Sequence, residues 1–111
     1  MTGTTVTNPG GSNPGGEEPP NLVDNNTGTK WLDFNGFNTG SGPSCYVVFN
    51  LGSAKTFDGY RWSTANDGPG RDPISWTIHT STDNVNWTLR HTVTNATITG
   101  TRETSAGNWS F

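Results

Sequence analysis

The stretch "NLVDNNTGT", residues 21–29, concentrates oxygen-bearing side chains in one short loop. Asp24, Asn26 and Thr29 are spaced so that a carboxylate, a carboxamide and a hydroxyl can point towards one centre. Ca²⁺ takes about six to eight oxygen ligands, and a tight loop adds backbone carbonyls to such a set. The same residue types also form turns by bonding to their own backbone. The sequence therefore leaves a calcium site and a self-bonded turn open as alternatives.

Two other stretches combine aromatic and planar polar side chains, as a sugar site requires. A pyranose ring offers an apolar face and a rim of hydroxyls. The loop "DFNGFNTGSGPS" and the tail "TRETSAGNWSF" both supply this combination on small, polar surroundings. The candidate ligand-binding residues are Phe34, Phe37, Asn38, Arg102, Asn108 and Trp109. The alternative for Phe34 and Phe37 is that they cap one end of the fold.

The stretch "NDGPGRDP", residues 66–73, is dense in turn-forming and charged residues. Pro and Gly at these positions prescribe a fixed turn, and Arg71 can pair with a nearby carboxylate. Catalysis would need a histidine or a second acid held against a reacting group, and the motif offers none. We therefore expect a rigid structural corner here and no enzymatic activity.

Short segments of alternating polarity are separated by regular turn signals, as in an all-β protein. In "CYVVFNLG" both faces are apolar, which predicts a strand in the middle of a sheet, covered on both sides. The runs "SWTIHTSTD" and "WTLRHTV", joined through "DNVN", predict a hairpin. Its second run would place Trp87, Leu89, His91 and Val93 on one face. No segment shows a period of 3.6, so the expected fold is an antiparallel β-sandwich.

Length and charge narrow the domain organisation and the partners. With 111 residues the chain is one domain. Residues 1–20 read as a flexible linker or as an extended segment along the domain edge, and residues 21–111 as the β-sandwich. A net charge of −3 argues against nucleic acid and anionic membranes as partners. No apolar run approaches membrane-spanning length, which argues against membrane insertion, and the start does not resemble a secretory signal.

Three stretches together resemble the discoidin, or factor 5/8 type C, family. "NLVDNNTGTKW" is similar to the family's early loop, in which an Asp, a polar loop and a Thr precede a Trp. "CYVVFNLGSAKTFDGYRWSTAND" resembles the strand, "LG" turn and "GYR" strand that follow. "RDPISWTIHTSTDNVNWT" is similar to the family's Trp-containing hairpin. The resemblance covers roughly residues 21–94 and implies a jelly-roll sandwich of the galactose-binding type, with a structural Ca²⁺ in the early loop.

The resemblance also implies an incomplete sheet. In the family two further strands follow the region of "TRETSAGNWSF", and one commonly carries a Glu near the metal. The missing strand would come from elsewhere, or the N-terminal segment would take its place. Because unpaired edges recruit other strands, a homo-oligomer or a partner chain that completes the sheet is expected as an alternative.

These observations predict a non-catalytic module that binds surface carbohydrate, or mediates adhesion, through loops at one end of the sandwich. Calcium would stiffen the binding end. The resemblance places such a module outside the cell or on a surface or virion. The alternative is a structural assembly domain of a virion or surface protein that associates through the incomplete sheet edge.

Overall fold

The computed structural model describes residues 3–37 and 45–111. It contains six strands: β1 Thr5–Thr7, β2 Val48–Asn50, β3 Gly59–Ser63, β4 Trp76–Thr80, β5 Thr88–Val93 and β6 Ser105–Ser110. Three short 3₁₀ segments lie between them: Pro19–Val23, Phe34–Phe37 and Pro69–Arg71. The described residues form no α-helix, which agrees with the absence of a 3.6-residue period in the sequence.

The described strands pair into three antiparallel, two-stranded sheets: β1 with β2, β3 with β6, and β4 with β5. The β4–β5 pair is the hairpin that the two alternating runs predict, and this prediction is confirmed. The β3–β6 pair joins segments that are far apart in the sequence, with Tyr60 opposite Trp109. Such a long-range pairing has no local turn signal, so the sequence did not indicate it.

A β-bulge changes the expected faces of the hairpin. Ile78 pairs with His91, but the next residue, His79, pairs with Leu89, so Arg90 is an extra residue in β5. The bulge turns Leu89 to the outer face, where it is 55% exposed. The expectation that Leu89 shares a face with His91 and Val93 is therefore wrong, because strict alternation cannot anticipate an inserted residue.

The segment around β2 also differs from its prediction. Among the described residues β2 has one partner strand, β1, and Phe49 and Tyr46 are 43% and 58% exposed. The prediction of a mid-sheet strand covered on both sides is therefore wrong. An apolar run indicates that a segment can be buried, but it does not say how many strands or layers cover it.

The N-terminal segment takes part in the fold through β1. Val6 lies opposite Phe49 of β2 and is buried, with 5% exposure. Further along, Pro19 at the start of a 3₁₀ segment is also buried. Residues between 1 and 20 thus supply both a strand and buried apolar surface.

Aromatic side chains join the β3–β6 sheet to the β4–β5 hairpin. The rings of Trp62 and Trp109 stack with centroids 5.9 Å apart, and Trp76 of β4 meets Trp109 edge-on at 4.9 Å. Tyr60 stacks on the other side of Trp109 at 5.7 Å. Offset-stacked and edge-on pairs are the favoured arrangements of aromatic rings. We call Tyr60, Trp62, Trp76 and Trp109 the aromatic cluster.

The hydroxyl of Tyr60 adds a polar link between the same layers. Trp76 Nε1 donates to Tyr60 Oη at 2.6 Å, and His91 Nδ1 of β5 lies 2.9 Å from the same oxygen. A half-buried indole N–H and phenol are therefore satisfied by each other across the interface. This junction and the stacked rings orient the hairpin against β3 and β6.

The turn of the β4–β5 hairpin is organised by one carboxylate. Asp83 Oδ1 accepts from the backbone N–H groups of Asn86 and Val85, at 2.8 and 2.9 Å, and Oδ2 accepts from the Asn86 side chain. The Ser81 hydroxyl donates to Oδ1 as well. These bonds hold the pKa of Asp83 well below its ordinary value of 3.8, and the bond from the Asn86 backbone has the largest effect.

The depressed pKa of Asp83 predicts an acid-sensitive hairpin. A carboxylate whose folded pKa lies below its unfolded value stabilises the fold above about pH 3.8, and this contribution is lost as the pH falls through the folded pKa. The stability difference between the wild type and Asp83→Asn should therefore shrink as the pH is lowered. Urea unfolding midpoints measured from about pH 6 to about pH 2.5 test this. A constant difference across that range would contradict it.

Candidate functional site

The corner at residues 66–73 is built as the sequence predicts. Gly68 adopts a left-handed conformation, with φ 62° and ψ 53°, and a 3₁₀ turn follows it. The left-handed conformation favours glycine, and a Cβ at Gly68 would also lie 2.2 Å from the Arg71 guanidinium, so that a larger residue would displace this side chain. Arg71 pairs with Asp67 at 2.9 Å, and Lys30 reaches the same carboxylate at 2.6 Å. The predicted turn and the pairing of Arg71 with a nearby carboxylate are confirmed, whereas the rigidity of the corner stays a prediction.

Arg102 ties the C-terminal loop to this corner. It forms a two-pronged ion pair with Asp72, with contacts of 2.6 and 3.2 Å. The remaining N–H groups donate to the backbone carbonyls of Asp67, Thr99 and Gly100. Because a guanidinium has five donors, these contacts engage all of them. The pKa of Arg102 is raised, and the main cause is its hydrogen bond to Asp72. The geometry favours a structural role for Arg102, whose contact with a ligand stays a prediction.

The predicted metal residues meet in one loop. Asp24 accepts from the Thr29 hydroxyl and from the backbone N–H of Asn26. The Asn26 side chain accepts from the N–H of Gly28, and its carbonyl from the Thr29 hydroxyl at 3.0 Å. The sequence offered a metal loop and a self-bonded turn, and the hydrogen bonds are those of the turn.

The chemistry of this loop still suits a hard cation. The Thr29 hydroxyl lies within hydrogen-bond distance of both the Asp24 carboxylate and the Asn26 carbonyl, and all three are oxygen ligands of the kind that Ca²⁺ prefers. Glu103 also approaches the loop: a Cβ at Gly28 would lie 4.0 Å from Glu103 Oε1. Among the described residues, however, no three His, Cys, Asp or Glu side chains are grouped to hold a metal. Calcium would thus rely on neutral oxygens for most of its ligands.

A buried carboxylate, that of Asp33, holds the loop that contains Phe34. Asp33 is 6% exposed and accepts from the backbone N–H groups of Ser12 and Asn35, at 3.2 and 2.9 Å, and from the Asn8 side chain. The N–H of Phe34 donates to the carbonyl of Ser12 at 2.9 Å. The N-terminal segment is thus bonded to the loop, and the Phe34 side chain is 49% exposed on it.

The other predicted ligand residues fall in different places. The side chain of Phe37 and the whole of Asn38 lie outside the described residues. Asn108 and Trp109 belong to β6, so the expectation that they lie on a loop is wrong. Trp109 belongs to the aromatic cluster, whereas Asn108 is exposed on the opposite face of the sheet. Phe34 thus lies in a 3₁₀ segment and Asn108 and Trp109 lie in a strand, and their ligand roles stay predictions.

Asp33 and Lys30 are the residues near these loops that the sequence did not single out. Lys30 bridges Glu17, at 3.1 Å, and Asp67, and the bond to Asp67 is the main cause of its raised pKa. Both residues act through partners distant in the sequence. A neighbouring thiol, Cys45, has its pKa raised by burial and by the negative charge of Asp33, so little of it is the reactive thiolate.

The sequence profile of the F5/8 type C domain matches residues 3–110. No curated protein and no solved structure shows a significant match to the chain. Domains of this kind are galactose-binding-like β-sandwiches, in agreement with the antiparallel, all-β architecture described above. They are typically carbohydrate- or lipid-binding or adhesion modules, generally non-catalytic and usually extracellular. Among the described residues no helix is long and apolar enough to span a membrane. Since the match covers nearly the whole sequence, the chain belongs to the F5/8 type C domain family.

Proposed function

We propose that the protein is a non-catalytic module that binds surface carbohydrate through the loop that carries Phe34. The observation that supports this most directly is that the Phe34 side chain is 49% exposed. The backbone around it is held by two hydrogen bonds, one from Asn35 to the Asp33 carboxylate and one from Phe34 to the carbonyl of Ser12. A pre-positioned ring can stack on the apolar face of a sugar without first losing conformational freedom. Asn35 follows it, and its amide nitrogen donates to the carbonyl of Gly10 at 3.0 Å, which further holds the loop.

Calcium in the Asp24 loop is the second part of the proposal. Asp24, Asn26 and Thr29 would supply the oxygen ligands, and Glu103 a nearby second carboxylate. The ion would fix the loop. Because Lys30 follows Thr29 directly and bonds to Asp67, the ion would also help to hold the corner at residues 66–73. Added Ca²⁺ should then raise the melting temperature of the wild type and not that of Asp24→Ala. An equal response in both proteins, or none in either, would refute a role for this loop.

The alternative function is assembly through an open sheet edge. It is favoured by the pairing of the described strands, each of which has one described partner strand. An assembly domain should increase in mass with concentration in light-scattering measurements. A constant monomeric mass over that range would remove this alternative.

Phe34→Ala should weaken binding of the preferred sugar by about tenfold or more, since the stacking platform is lost. The fold should persist, because the ring is half exposed and the loop is held by backbone and Asp33 contacts. Titration calorimetry with the tightest-binding glycan measures the loss, and thermal melting checks the fold.

Trp87→Ala is the matched control, because Trp87 is an aromatic residue of similar exposure, 46%, on the β4–β5 hairpin. It should bind as the wild type does. Equal weakening in both variants, or undiminished binding by Phe34→Ala, would show that the Phe34 loop is not the binding surface.

A further inference from the structure

The outer face of the β3–β6 sheet carries an arginine beside an asparagine. Tyr60 and Trp62 of β3 belong to the aromatic cluster on the inner face of the sheet. Arg61 lies between them in the strand, so it points to the outer face. Its cross-strand neighbour is Asn108 of β6. Directly opposed residues place their Cβ atoms about 5 Å apart on the same face. Both residues are exposed, so a single ligand on this face could reach the guanidinium and the carboxamide together.

Among the described residues, Arg61 differs from the other three arginines in having neither an ion pair nor a ring contact. Arg71 and Arg102 pair with aspartates, and Arg90 lies over the ring of Phe111 at 5.4 Å. Within residues 3–37 and 45–111, the Arg61 side chain makes no hydrogen bond, ion pair or ring contact. Its guanidinium therefore keeps its full set of donors for a ligand.

The surroundings of this pair are small and uncharged. The adjacent cross-strand pairs on the same face are Gly59 with Ser110 and Ser63 with Ser105. None of these paired residues carries a carboxylate that would compete for the guanidinium. They also have no bulk, so a flat ligand could reach Arg61 along the sheet. The result is a shallow polar platform with one positive charge on a protein whose net charge is −3.

We propose that Arg61 and Asn108 form a subsite for a sugar that bears a carboxylate. The guanidinium would hold the carboxylate through two parallel N–H···O bonds, which is the geometry that favours arginine over lysine. The Asn108 carboxamide can both donate to and accept from the ring hydroxyls beside it. The inference rests on the proposed carbohydrate-binding function and names a class of sugar for it, with the contacts made by residues of β3 and β6 and not by the Phe34 loop.

The test is an NMR titration of the ¹⁵N-labelled protein with sodium glucuronate, and with methyl glucoside as the neutral counterpart. The wild type is compared with Arg61→Gln, Arg61→Lys and Lys55→Gln. Lys55 is an exposed residue outside β3 and β6, so Lys55→Gln removes the same charge from a position that is not part of the platform. Phe34→Ala is included because it disables the proposed loop site and leaves this face intact.

Glucuronate should shift the backbone and side-chain amide signals of Asn108 saturably in the wild type, in Lys55→Gln and in Phe34→Ala. Arg61→Gln should weaken this binding roughly tenfold, and Arg61→Lys by less. The subsite is refuted if Asn108 does not respond, if methyl glucoside shifts it equally, or if Lys55→Gln weakens binding as much as Arg61→Gln. Failure of the proposed function is a separate result. In that case Phe34→Ala would bind glycans as the wild type does, whether or not glucuronate shifts the Asn108 signals.

Discussion

Trp109→Ala is expected to lower the free energy of unfolding by about 3 kcal/mol. The indole stacks between Tyr60 and Trp62 and meets Trp76 edge-on, so its removal takes away three ring contacts. Each such pair is worth about 0.5–1.5 kcal/mol beyond the area that it buries. Since these rings join the β3–β6 sheet to the β4–β5 hairpin, the loss should appear as a large fall in the urea midpoint.

Trp87→Ala serves as the control, because it removes the same side chain from a site that is 46% exposed. Trp87 makes no ring contact with the described residues, so its loss should cost less than about 1 kcal/mol. Similar losses for the two variants would mean that the aromatic cluster does not hold the layers together.

Asp33→Ala should destabilise the protein by about 2 kcal/mol and weaken sugar binding as well. The substitution leaves the backbone N–H groups of Ser12 and Asn35 without their acceptor. An unpaired, partly buried donor costs about 1–3 kcal/mol. The Phe34 loop would then lose its attachment to the N-terminal segment, and the ring its fixed position. Chemical denaturation gives the first effect and calorimetric titration the second.

Asp58→Ala removes an equal charge from an exposed aspartate whose side chain makes no hydrogen bond with the described residues. Its stability and sugar binding should match those of the wild type. If Asp33→Ala keeps full affinity while losing stability, the carboxylate supports the fold but does not position the binding loop.

The local parts of the fold follow from the sequence, and the long-range parts do not. The β4–β5 hairpin was predicted because alternation and an Asp/Asn turn both act within a few residues. The corner at residues 66–73 was predicted for the same reason, since Pro and Gly restrict the backbone wherever they occur. The pairing of β3 with β6 depends on segments with no local signal, and the bulge at Arg90 adds one residue that no period reveals.

The candidate sites show the same division. Asp24, Asn26 and Thr29 meet in one loop because they lie within six residues of each other, while their role as metal ligands stays a prediction. Trp109 was assigned to a loop because its flanking residues are small and polar, yet it packs in the aromatic cluster. Gly107, two residues earlier, leaves room for this packing, since a Cβ there would lie 3.3 Å from the indole. The link that Asp33 makes to the N-terminal segment has no local signal, because Asn8 and Ser12 lie more than twenty residues away; its one near partner is the N–H of Asn35.

A glycan-array screen of the wild-type protein, run in Ca²⁺ and repeated in EDTA, is the most direct test of carbohydrate binding. We expect saturable binding to a coherent set of sugars, and weaker binding in EDTA if the Asp24 loop holds Ca²⁺. A folded sample that binds no glycan in either condition would contradict the carbohydrate-binding function.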